Sequence, residues 1–588
     1  MFIGVFINFI NTFAKEYRFK LLLLTIFSII AAGFEFIGLS LIYTFVILLT
    51  SNSLILPPQI SALPVFSNIS SCAMGLGIVV ALIYILKDFF MIAHINFQNS
   101  LLADISNSIF EKNYKRFISQ NYFLTRELTT SDKLRILDTS ITSIVNGFMG
   151  GVLSFFVNSV VALAIILYLF AKFKLIAIII SIFIFLIWQF ENRYFKTKVK
   201  EYGQKLHFSD REKQNFVLST INSQKEIIIY GKEKDFDKTA YKLQKEYSKQ
   251  RKLIDINAQL PTYFTEIGVM GTFVLFVMLL LTRNYDGVHL SASLATIAAI
   301  IIRIVPAINK TQSCMQIINA NKIEVDWFVN TISKIFDTEI YEKNTSVKLE
   351  FKEQIKLENI NFCYEKNKYA LKNINLTIKK GDFVGIIGTS GSGKTTLFNI
   401  ISGLFEINNG KIIIDNTTLT KNNTKMWQNN ISILSQEFSL PFNTVWQNVA
   451  LEPDCKAEKD TDKIIQALKL ANIYNEINGN LEKNTKELSS GQKHRIALAR
   501  TFYFEREVIM LDEATSALDS EAENEISKSI EDLKGKKTII AIAHRIKTLK
   551  NCDKIIYINK GEVIDIDTFD QLKIKHDSFR HLVELAQF

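Results

Sequence analysis

Gly388-Thr389-Ser390-Gly391-Ser392-Gly393-Lys394-Thr395 follows the apolar run Phe383–Ile387 and opens a helical stretch from Thr396 onward. It fits G-x-x-x-x-G-K-[ST], a phosphate-binding loop in the strand–loop–helix setting that the pattern requires. Its glycines let backbone N–H groups curl around the β- and γ-phosphates of a nucleotide with no Cβ in the way. Lys394 adds a point charge to those phosphates, and the Thr395 hydroxyl is suited to ligate a metal. ATP and Mg²⁺ are the cofactors this stretch implies. Around it, residues 350–588 alternate short β-rich runs with helical patterns, the signature of an α/β nucleotide-binding domain.

The rest of the chain has a different character. A chain of 588 residues is too long for one core, and its apolar residues concentrate in residues 1–315. A membrane-crossing helix needs about 20 apolar residues. Leu21–Leu49, Ala73–Phe97, Phe148–Ala171, Leu175–Phe195, Pro261–Thr282 and Leu290–Ile317 qualify. Before them, Lys15, Arg18 and Lys20 among Phe and Ile read as an amphipathic helix on the inner membrane surface.

Basic residues orient the spans. Lys112, Lys115, Arg116, Arg126, Lys133 and Arg135 crowd one long loop, and the loop from Arg193 through Lys252 is denser still. Ser51–Cys72 has no Lys or Arg, so the basic loops and both termini are expected inside. Within those loops, Leu101–Phe117 and Phe236–Leu253 carry helical periodicity, while Ser119–Thr130 and Phe216–Tyr230 read as turns able to dock on the ATPase domain. The plan is thus residues 1–335 as a six-helix membrane domain, 336–349 as a linker and 350–588 as the nucleotide-binding domain.

Several function classes drop out. The net charge of +10 suits loops facing anionic lipid rather than nucleic acid. Five scattered cysteines give neither metal spacing nor a disulfide framework. Met1–Ile10 lacks the basic leader and small-residue site of a cleavable signal.

Val508-Ile509-Met510-Leu511-Asp512-Glu513 is an apolar run ending in two carboxylates. Asp512 at the strand end can hold Mg²⁺ through water, and Glu513 can polarise an attacking water. Leu488-Ser489-Ser490-Gly491-Gln492 resembles the signature sequence of ABC ATPases, and Ser516-Ala517-Leu518-Asp519 resembles their D-loop. His544 matches the switch histidine, Gln436 the Q-loop glutamine that also reaches the metal, and Tyr364 the aromatic that stacks on adenine. Thr396 completes the loop's phosphate contacts. Six spans followed by one such ATPase resemble an ABC exporter half-transporter, whose fold is an α-helical six-helix membrane domain followed by an α/β P-loop ATPase domain.

That resemblance implies a homodimer in which the signature of one subunit faces the phosphate loop of the other. Ser489, with Ser490, Gly491, Gln492 and the helix after them, then presents donors to a γ-phosphate. Two departures are visible: Ser490 stands where glycine is usual, and Gly479–Glu487 lacks the glycine-rich turn of many exporters, with Glu482 as its acidic substitute.

For the cargo, ionisable residues inside spans are costly and mark function by default. Glu35, Lys87 with Asp88, Glu266 and Arg303 stand out. Lys87 and Arg303 can face a central cavity and bind an anionic head group, or can pair with Asp88, Glu35 or Glu266. Phe34–Ile42 and Ile302–Pro306 resemble the corresponding segments of bacterial lipid-linked oligosaccharide flippases. The resemblance implies a polyprenyl-diphosphate glycan moved across the inner membrane of a bacterium, with the ATPase domain in the cytoplasm. Exporters of peptides or bacteriocins, exporters of lipid A or hydrophobic drugs, and an ATP-gated channel are the competing readings.

Overall fold

The computed structural model describes residues 2–50, 69–119, 122–126, 128–172, 174–281, 287–336, 347–365, 368–456, 459–512, 520–542 and 549–585. Glu513, the D-loop residues Ser516–Asp519, His544, and most of the 336–349 linker and of the Ser51–Cys72 loop lie outside them. The chain divides into two compact units, one of residues 1–120 with 127–339 and one of residues 121–126 with 340–588.

The first unit is helical. Apolar residues at three-to-four spacing carry each helix straight from its span into its polar extension, giving α1 (Phe2–Phe13), α2 (Arg18–Thr50) and α3 (Ile69–Ser119). A run from Thr130 leads into α5 (Gly150–Lys172), followed by α6 (Lys174–Asn222), α7 (Gln224–Ile229), α8 (Glu233–Leu281) and α9 (Gly287–Phe336). The label α4 belongs to the short helix Tyr122–Arg126, which groups with the second unit. Helix α1 buries Phe9, Ile10 and Phe13 and exposes Ile3 and Ile7, the amphipathic pattern read from its sequence. Its buried face joins Leu101, Ile105, Ile144, Phe148, Ile318 and Phe328 in one core.

Among the described residues, three helical runs are long and apolar enough to cross a membrane: Lys15–Leu49, Cys72–Ser119 and Thr130–Ala171. Helices α6, α8 and α9 contain the described residues of the other three segments named from the sequence. Large apolar side chains such as Phe19, Phe89, Ile92 and Ile302 are exposed, as suits a surface that meets lipid.

The second unit holds two sheets. Strands β1 (Gln354–Glu365), β2 (Lys368–Lys379), β4 (Asn409–Ile414) and β5 (Thr417–Thr418) form an antiparallel sheet in the order β2-β1-β4-β5. Strands β3 (Phe383–Ile387), β6 (Ile431–Leu434), β7 (Val508–Asp512), β8 (Thr538–Ile542), β9 (Lys554–Asn559) and β10 (Glu562–Asp567) run in the order β10-β9-β3-β8-β7-β6. All neighbours in that sheet pair in parallel except β10 with β9. Every residue of β3, β7 and β8 is buried, which is why these strands read as unbroken apolar runs rather than alternating ones. Strand β3 sits centrally, and the chain leaves its carboxyl end to build strands on both sides. That is the switch point where parallel sheets bind ligands.

Candidate functional site

The phosphate loop leaves β3 at that switch point. A Cβ on Gly388 would lie 2.1 Å from the Ile558 carbonyl oxygen and 2.6 Å from Ser392 Oγ, so only glycine fits. Gly393 adopts φ 105° at the N-terminus of α10 (Lys394–Ile401), a conformation open to glycine at little cost. Thr389, Ser390, Gly391 and Thr395 are exposed, whereas Ser392, Lys394 and Thr396 are buried. Lys394 Nζ donates to the carbonyls of Gly388 at 2.9 Å and Thr389 at 3.0 Å, which folds the ammonium back across its own loop. Ser392 Oγ is buried with no hydrogen-bond partner among the described residues. A cradle closed to a Cβ at Gly388 and Gly393 and an orphaned hydroxyl fit a nucleotide's phosphates.

Tyr364 on β1 shares a 2.7 Å hydrogen bond between its hydroxyl and Thr396 Oγ1, joining the candidate adenine platform to the loop's helix. Its ring packs edge-on to Phe362, and the Arg126 guanidinium lies 4.3 Å from its centroid. Phe123 packs edge-on against Phe362 and Phe405, so α4 is seated by apolar contact within this unit. Asp512 is the buried last residue of β7; it aligns with Ile542 of β8, which in turn aligns with Ile386 of β3. The carboxylate therefore ends at the same sheet edge as the loop, where a loop-bound Mg²⁺ would sit. Gln436 is exposed two residues beyond β6.

The signature stretch caps a helix. Ser489 is the N-cap of α11 (Ser490–Tyr503): its Oγ accepts from the Gln492 N–H at 3.2 Å, and Gln492 Oε1 accepts from the Ser489 N–H at 3.1 Å. This reciprocal capping box fixes the helix start. Because Oγ serves as acceptor, its proton remains to donate, and Ser489 and Ser490 are both exposed. Glu476, which nothing in the sequence marked, holds the arrangement: it accepts from Gln492 Nε2 at 3.0 Å and from Arg495 Nη2 at 2.8 Å. Its 16- and 19-residue separations from these partners carry no periodic signal. Glu482 accepts from Trp446 Nε1 at 3.2 Å and pairs with Lys459.

In the helical unit, Glu35, Lys87 and Arg303 come together from α2, α3 and α9. Lys87 Nζ donates to Glu35 Oε2 at 2.9 Å and lies 3.6 Å from Asp88, while Arg303 Nε lies 3.5 Å from Glu35 Oε1. The Tyr84 ring sits 5.0 Å from Lys87 Nζ and 4.8 Å from the Arg303 guanidinium. Of the two arrangements open to these residues from sequence, pairing with Glu35 is the one present. Glu266 is exposed on α8.

Residues 371–516 match the family model described as ABC transporter. A Cupriavidus pinatubonensis protein named ATP-dependent lipid A-core flippase is 32% identical over 41% of this chain and 42% of its own length. A Francisella tularensis protein of the same name is 27% identical over 80% of this chain and 76% of its own. The first of these alignments thus spans less than half of the relative it matches. Among solved structures, one described as a bacterial Atm1-family ABC exporter with ATP bound superposes with a TM-score of 0.79, covering 97% of this chain and 99% of its own at 17% identity. That likeness carries the fold.

Proposed function

We propose, for a chain whose nucleotide-binding domain is an ABC transporter domain and whose fold is that of an exporter, that ATP hydrolysis drives an anionic lipid-linked substrate across a bacterial inner membrane. The observation that carries the reading is the phosphate cradle: glycine-only backbone at Gly388, Lys394 turned into the loop, and Asp512 at the same sheet edge. Thr395, Asp512 and Gln436 would hold Mg²⁺, which would offset charge on the phosphates of ATP bound there. Its adenine stacks on Tyr364, and Glu513 and His544 position the attacking water. The chain works as a homodimer, since its own signature helix, capped at Ser489, is needed to close the phosphate site of a second copy.

The cargo reading rests on two cations, Lys87 and Arg303, gathered on one carboxylate within apolar helices. Placing charge there is expensive and suits a ligand that brings opposite charge. A polyprenyl-diphosphate glycan supplies it at the head group. A second reading has the relatives' names in its favour: a lipid A-core cargo.

Reconstituted protein distinguishes them. ATPase activity is measured with a lipid-linked oligosaccharide, a lipid A-core preparation, a hydrophobic drug and a short peptide. Stimulation by the diphosphate lipid alone is the expected result; stimulation by lipid A-core alone replaces the first cargo with the second. Stimulation only by drug or peptide discards both.

A further inference from the structure

Glu35 is held by its partners in a lopsided way. Its Oε2 accepts from Lys87, but among the described residues Oε1 is buried with no hydrogen bond and has Arg303 Nε at 3.5 Å. The buried Tyr84 hydroxyl beside it faces the same Arg303 guanidinium. An ionised carboxylate offers about four acceptor sites, and Lys87 fills one of those of Glu35. The exposures are unequal as well: the Glu35 and Lys87 side chains are 7% and 8% exposed, Arg303 42%. Gly38, one turn along α2, makes room for the Tyr84 ring, which a Cβ there would approach to 3.0 Å.

Resting on the anionic-cargo reading above, we propose that Glu35 is a built-in stand-in for the cargo's phosphate head group. It occupies Lys87 and Arg303 in the unloaded protein and yields them to an incoming polyanion. Glu35 thus answers both cations in the resting cluster, which costs less within apolar helices than two bare cations would. An entering phosphate has to compete with Glu35. A head group with several charged oxygens can engage both cations at once, whereas a singly charged one gains little over the carboxylate already there. Glu35 thereby sets a threshold against weakly charged lipids.

The test measures binding of farnesyl diphosphate, inorganic pyrophosphate and farnesol to the full chain in detergent. The Lys87→Gln/Arg303→Gln double variant is the blank for anion held at the ATP loop. Removing the competitor in Glu35→Gln should tighten farnesyl diphosphate by about tenfold and leave farnesol unchanged. An equal gain for pyrophosphate also supports the exchange and identifies a free diphosphate as a sufficient ligand. Unchanged or weaker diphosphate binding overturns it, since a purely structural ion pair predicts that outcome. Should Glu35→Gln fail to fold, Glu35→Asp draws the charge back by one methylene and should give a smaller gain in the same direction; no gain there overturns the proposal equally. If the wild type binds farnesyl diphosphate no better than the blank, the cargo reading itself falls. Binding above the blank with no gain in either Glu35 variant sinks only the stand-in.

Discussion

Lys394 illustrates how a single residue's job is fixed by its neighbours. Its ammonium is buried and satisfied by two carbonyls of its own loop, so it is held where phosphates would arrive rather than sweeping solvent. Nucleotide phosphates replace neutral carbonyl acceptors with charged ones, so the ammonium gains the attraction of an opposite charge along with its hydrogen bonds. Lys394→Ala should therefore reduce ATP turnover by a factor on the order of 10²–10³, as expected when one donor to developing charge is lost. Phosphate release from the purified protein measures this, and near-wild-type turnover would remove the loop from the mechanism. At this scale the sequence was informative where chemistry dictates spacing: the loop, Asp512 and Ser489 each sit at the end of the element expected of them. It was silent on what holds them. Glu476 and the Tyr364–Thr396 hydrogen bond join positions brought together by folding, with nothing in their spacing to announce it.

Among α6, α9 and the run ahead of α5 lies a cluster that hydropathy could not reveal. The run from Thr130 contains π turns at Arg135–Thr139 and Ser143–Met149, and a single-residue change of ladder leaves the apolar pattern almost unaltered. The turns bring Arg135 to Glu324 of α9 at 2.6 Å, with His207 of α6 2.6 Å from Arg135 and 3.2 Å from the same carboxylate. Gly147 lets α9 approach, since a Cβ there would fall 2.6 Å from the Asn321 side chain. Burial pushes the Glu324 carboxyl up, but hydrogen bonding by His207 and Ser140 and the charge of Arg135 outweigh it and hold it below the ordinary carboxylate value. A depressed folded value contributes stability above the unfolded value of 4.5 and loses it as pH falls through the folded one. Glu324→Gln should cost about 3 kcal/mol at neutral pH, because the Arg135 guanidinium is left buried with its charge unanswered. Thermal unfolding of wild type and variant tests this: the gap should be full at pH 7 and shrink below pH 4.5. A gap that stays constant down to low pH would mean the ion pair is not its source.

Across the whole molecule, the division into an apolar helical part and an α/β part was legible because water and lipid impose opposite compositions on the two. The exception is instructive. Residues 121–126 lie in the first part by sequence yet group with the second unit, where Phe123 packs on Phe362 and Phe405. Composition reports which solvent a segment meets, not which unit it packs in, although the reading of Ser119–Thr130 as a turn able to dock on the ATPase domain did mark the place. The homodimer is the reading that most needs the whole chain, and complementation tests it directly. If each ATP site joins the loop of one copy to the Ser489 helix of another, Lys394→Ala and Ser489→Arg chains are each inactive alone for different reasons. In a mixed dimer one site collects both defects and the other collects neither. Random pairing then leaves about a quarter of the sites intact. Co-expressed chains should recover ATPase activity on that order, well above the sum of the two variants made separately. Recovery absent at equal expression, with mixed dimers verified by two affinity tags, would mean that each copy builds its site from its own residues, and the shared-site mechanism would fall with it.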